Sequence, residues 1–189
     1  MHDIEPYRRW EKIYNCYKDR LSPFYGQSHD PFLCRNTIYD HYIHPAWDEF
    51  GSNTLYMKLL YAGYEKGAAV IELMGEWNDL LYNDIMYLKR NIVEHLEEHG
   101  ITKFILIGEN VLNFHFSDDS YYEDWFNDLD EGWIAAINFR EHVLSEFDKI
   151  GLYNYMIYDG VFNEIKWRTV NPEKLVDAID AIINRSLNP

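Results

Sequence analysis

Two apolar runs, "TLYMKLLY" at 54–61 and "AAVIELM" at 68–74, are joined through only "GYEKGA". Leu55, Met57, Leu59 and Tyr61 alternate onto one face, the period of a half-buried strand, and glycine-containing joints this short reverse the chain. An antiparallel hairpin over 54–74 follows. Asn78 or Asp79 can cap a helix carrying Ile85, Leu88, Ile92, Val93 and Leu96, with Gly100 just past its end. "KFILIG" is a short continuous apolar run of the kind that forms a buried strand. An acidic stretch at 117–131 leads into a helix with Trp133, Ile134, Ile137, Leu144 and Phe147 facing inward, and "YNYMIYDG" reads as a further strand. The chain closes on a helix with Asn171 as N-cap, Pro172 at its first position and an apolar stripe of Leu175, Val176, Ile179, Ile182 and Ile183.

The expected order from residue 54 is β-β-α-β-α-β-α. This is an α/β chain with a small mixed sheet: an antiparallel hairpin on one side, parallel strands on the other, and helices on at least one face. Upstream, Trp10, Ile13, Tyr14, Tyr17 and Leu21 fall at helical spacing, and 35–53 is aromatic and irregular. Residues 1–53 are therefore expected to form an N-terminal helix and aromatic loop extension packing on an α/β domain at 54–189. The stretch "IELMGEWNDLLYND" (71–84) is expected to be a strand–turn–helix junction. It has one glycine and no G-x-G-x-x-G, and Glu76 and Asp79 would repel a phosphate.

The charge balance narrows the partners. With 32 acidic and 17 basic residues the net charge is −15, which opposes binding to nucleic acid or to an anionic membrane surface. No run approaches the length of a membrane-spanning helix, and "MHDIEPYRRWEK" is no signal peptide, so a soluble cytoplasmic protein is expected. Cys16 and Cys34 are expected to be reduced buried thiols. Aromatic residues reach 17% of the chain, and so much aromatic surface calls for a core, a pocket or an interface to hold it.

Three segments have metal-ligand or interface chemistry. "HLEEH" (95–99) has the H-x-x-E-H spacing of a zinc helix, but it also places histidines at a helix C-terminus, where the dipole favours them. "DHYIH" brings His41 and His44 near Asp48, a possible ligand set among aromatic neighbours. "SDDSYYEDWFNDLDEG" (117–132) holds seven carboxylates, fails the EF-hand spacing, and interleaves Tyr121, Tyr122, Trp125 and Phe126 with the acids. Aromatics of that kind anchor interfaces, so these four are the expected partner-binding residues. No nucleophile elbow occurs, and no cofactor is expected.

"AAVIELMGEWND", the helix ending "LEEHG", and "KFILIGENVLNF" leading to "SDDS" resemble the STAS-type domains of anti-sigma-factor antagonists over about residues 54–160. The resemblance implies a strand ending in glycine, a helix, a second strand, and a serine at the next helix N-terminus that is the phosphorylation switch of regulatory members. The matching position is Ser120, or alternatively Ser117. Here Tyr121 and Tyr122 follow where the family usually has Ser and Gly, and a phosphate would meet Asp118, Asp119, Glu123 and Asp124. The implied function is a non-enzymatic cytoplasmic regulatory or scaffolding module that binds a protein partner or itself. The alternatives are a metal-dependent enzyme using His41, His44 or the 95/99 pair with carboxylates such as Asp48, and a small-molecule binder with an aromatic pocket between the N-terminal wrap and the sheet.

Overall fold

The computed structural model describes residues 4–30, 32–158 and 160–187. Its centre is a four-stranded sheet in the order β3-β4-β5-β6: β3 is Leu55–Gly63, β4 Ala68–Asn78, β5 Lys103–His115 and β6 Trp133–Ile137. The β3–β4 pair is antiparallel, and β5 and β6 add in parallel. The mixed α/β class read from the sequence is present, and the order β-β-α-β-α-β-α recurs with its second helix and last strand formed by other segments than those read. A two-stranded ribbon, β1 (Thr37–Ile38) and β2 (His41–Tyr42), lies in the N-terminal segment.

Both faces of the sheet are covered, which is why β4 is buried along almost its whole length. On one face pack α2 (Asp84–Leu88), which continues through a π-helical turn at Lys89–Val93 into α3 (Glu94–Glu97), then α4 (Ser120–Asp128) and α5 (Glu141–Lys149). Ile85, Leu88, Trp125, Leu129 and Phe147 meet Leu55, Leu73, Trp77 and Phe104 there. On the other face α6 (Pro172–Leu187) lays Leu175, Val176, Ile179 and Ile183 against Val70, Ile105, Ile107 and Ala135, joined by Trp10 and Trp167. The Asn171 cap expected for α6 is made, with Oδ1 accepting from the Lys174 N–H at 2.8 Å.

Four expectations are corrected. Residues 4–21 are not a helix: only the 3-10 turn Arg9–Lys12 forms. The side chains of Asn15 and Asp19 accept from the backbone N–H of Tyr17 and Leu21, two residues on, and so divert the backbone from helical bonding. The acidic stretch is itself a helix, α4, because Tyr122, Trp125 and Leu129 share one buried stripe beneath the charges. The run Trp133–Ile137 is strand β6 rather than the start of a helix; five consecutive buried residues suit a strand covered on both faces. "YNYMIYDG" begins as a 3-10 turn at Leu152–Asn154 and, among the described residues, makes only an isolated bridge, Ile157 to Ala135.

Gly75 also departs from its expected role. It sits inside β4 at a register irregularity, with φ +117, and a Cβ there would lie 2.2 Å from the Thr54 carbonyl oxygen. The strand therefore runs through the glycine to Asn78, and the bend into helix comes only afterwards. Cys16 is buried and Cys34 half-buried, both unpaired. Burial pushes the Cys16 thiol up to about 12.

Candidate functional site

The end of the sheet beyond β4 and β5 is built by three carboxamide and carboxylate side chains. Asn78 caps α1, the single turn Asp79–Tyr82, by accepting from the Leu81 N–H at 2.9 Å. Asn83 follows in the left-handed region, with φ 53, which stops that turn. Asp84 then accepts from the Asn78 N–H at 2.7 Å and from Thr54 Oγ1 at 3.1 Å. Asp79 is buried, and its Oδ1 accepts from the Ile85 N–H at 2.9 Å and from Trp77 Nε1 at 3.1 Å. Its Oδ2 accepts from the Tyr122 hydroxyl at 2.6 Å. Burial is the main reason its carboxyl is pushed up to about 7, against the opposing pull of those three donors.

The consequence is a turn pinned by its polar groups and presenting its apolar ones. Leu80, Leu81 and Tyr82 are 63%, 72% and 39% exposed. The Tyr122–Asp79 bond fastens the start of α4 to this turn, so Ser120 lies at the same end of the sheet. Ser120 is exposed at the first position of α4, where its hydroxyl donates to Asp118. Tyr121 is half-buried beside the Arg90 guanidinium.

The expected partner-binding set is thus divided. Tyr122 and Trp125 are wholly buried core residues, and burial removes them from any surface role. Tyr121 and Phe126 remain accessible, but Phe126 meets Tyr155 edge-on and lies with Trp133 and Tyr153, near the opposite ends of the strands. The Leu80–Tyr82 turn went unrecognised because "DLLYND" fits a longer amphipathic helix. The signal was present in the two asparagines, Asn78 and Asn83, that bracket it.

The candidate metal ligands do not converge. His41 is exposed on β2. His44 accepts through Nδ1 from the Ala46 N–H at 3.1 Å and faces Glu5 at 3.7 Å. Asp48 is instead fully buried against Tyr17, His29 and Lys58. His99 Nδ1 bonds the His95 carbonyl at 2.8 Å, and His95 Nε2 reaches the Leu21 carbonyl at 3.0 Å, so this pair closes a helix end. Among the described residues no three His, Cys, Asp or Glu side chains are grouped to hold a metal ion. The outer edge of β3 is bridged at Met57 by the backbone of Asp48.

No family model matches the chain, and no curated protein matches it. Among solved structures, the chain is similar to the Bacillus cell fate determinant SpoIIAA in its phosphorylated form, with 17% identity and a TM-score of 0.41 over 65% of this chain and 98% of that one. The likeness to a STAS-type domain is weak and at the level of the fold. Among the described residues no helix is long and apolar enough to cross a membrane.

Proposed function

We propose that the chain is a regulatory protein-interaction module whose docking surface is the sheet end formed by Leu80, Leu81 and Tyr82 together with Ser120 and Tyr121. The observation that supports this is the exposure of three successive large apolar side chains on a turn that Asn78 and Asp79 hold in place through their hydrogen bonds. Three such residues side by side are more than the scattered apolar exposure of an ordinary surface.

The charges nearby define the partner. Asp118, Asp119, Glu123 and Asp124 flank Ser120 and Tyr121 in the sequence, so a second copy of the chain would meet like charge there. A different protein with an apolar centre ringed by Lys and Arg fits better. Ser120 is placed to modulate the contact. A phosphate there would displace its bond to Asp118 and add about −1.5 to −2 charges.

The test is affinity capture from the native cell extract with the tagged full chain, followed by the same capture with Leu81→Asp and with Ser120→Glu. The reading holds when a specific basic partner is retained by the parent chain and lost with Leu81→Asp. Undiminished capture of the same partner by Leu81→Asp, or a chain that only self-associates by light scattering, removes it.

A further inference from the structure

Lys58 stands on β3, between the alternating apolar positions of a strand buried along nearly its whole length, and is itself buried. A buried ammonium is costly unless it is paired and hydrogen-bonded. The N-terminal segment supplies all its partners. Nζ lies 3.4 Å from Asp48 Oδ2, donates to the Ala46 carbonyl at 3.1 Å and touches the Tyr17 hydroxyl. The Tyr17 hydroxyl in turn donates to Asp48 Oδ1 at 2.6 Å, and His29 Nε2 reaches the same oxygen at 2.9 Å. Burial and Asp48 hold the Tyr17 phenol well above its ordinary value, so it stays protonated and donating.

This network is a wall of a cavity. A space of about 440 Å³, opening between the segment and the sheet, is lined by Tyr17, His29, His44, Ala46 and Lys58, with Arg8, Lys18 and Glu11 around it. A second space of about 320 Å³ shares His29 and His44 with the first and continues toward Trp47 and Tyr56. Both volumes are in the range of small-molecule sites. The lining of the larger space is less acidic than the whole: Arg8, Lys18 and Lys58 stand there against Glu11, which meets Arg8 at 3.0 Å, and the underlying Asp48, in a chain of net charge −15. Asp48 holds His29 through Nε2, which fixes the imidazole and leaves Nδ1 as its second polar atom.

We propose that this cavity is a binding site for a small organic anion, a carboxylate or phosphate monoester on an aromatic-sized apolar body. The anionic group is drawn by Lys18 and Arg8 with His29 and His44, and the body lies over Tyr17 and the Lys58 stem. The site is separate from the protein-docking end of the sheet and does not depend on it.

Isothermal calorimetry of the full chain with benzoate, phenyl phosphate and neutral benzyl alcohol tests the assignment. At least one anion is expected to bind one-to-one, with benzyl alcohol at least about fivefold weaker, the scale of a single near-surface charge interaction. The preferred anion identifies carboxylate or phosphate chemistry. Lys18→Ala, an exposed change, should weaken the anion by about fivefold without altering the melting temperature. Ser28→Trp, which fills the space shared by both cavities, should abolish binding. Equal affinity for benzyl alcohol, no heat with any probe at millimolar concentration, or anion binding that survives Ser28→Trp each overturns the proposal.

Discussion

The hydroxyl of Tyr122, on α4, donates to the carboxylate of Asp79, at the end of β4, across 2.6 Å of buried space. One hydrogen bond thereby joins the second crossover helix to the turn that begins the first. Tyr122→Phe removes the donor and leaves Asp79 Oδ2 buried without it, which should cost about 1–3 kcal/mol in urea denaturation. The bond also favours the charged carboxylate, so the Asp79 pKa should rise above its value of about 7, as read by carboxyl NMR titration. An unchanged Asp79 titration would mean the bond is not formed in solution.

Stability should fall as pH rises from 5 to 8. Glu72 and Asp79 are both pushed up to about 7, chiefly by burial. Raised carboxyl values mean that the folded chain binds protons that the unfolded chain has already released above about 4.5. Their stabilising contribution is complete below that pH, declines through the interval and is gone above about 7. For Glu72 alone the change is on the order of 3 kcal/mol. Melting curves of Glu72→Gln should show a shallower decline than the parent, and a parallel decline would contradict the assignment.

Lys58 and Asp48 should be strongly coupled. Asp48→Asn leaves a buried ammonium without its counter-charge and should cost about 3–5 kcal/mol. Lys58→Met leaves Asp48 with its Tyr17 and His29 donors and should cost less. The double variant should be more stable than the sum of the two losses implies, a result that a double-mutant cycle in urea reads directly. Additive losses would show that the pair does not interact.

Gly75→Ala should destabilise by more than about 2 kcal/mol, because the new Cβ meets the Thr54 backbone and the φ of +117 is strained for alanine. Leu81→Asp, by contrast, should stay within about 0.5 kcal/mol of the parent, since Leu81 is exposed. A large loss in Leu81→Asp would place that side chain in the core.

Local chemistry fixed much of this architecture in the sequence. The hairpin, its glycine turn and the Asn171–Pro172 cap each act over a few residues and are found where the pattern put them, but the expected alternation holds only from Leu55 to Leu59, after which a register irregularity turns Tyr61 to the opposite face. The elements misread were those whose local signals conflict. Asn15 and Asp19 interrupt a helical spacing, and the charges of α4 mask the Tyr122–Trp125–Leu129 stripe. Trp133–Ile137 is a run that a strand and a helix can share. Only the tertiary structure decided which aromatics face water and which polar groups meet. Tyr122 lies 43 residues from Asp79, and Tyr17 lies 31 residues from Asp48. Pairing at such separations depends on the register of the sheet and the path of the wrap, and no local pattern encodes either.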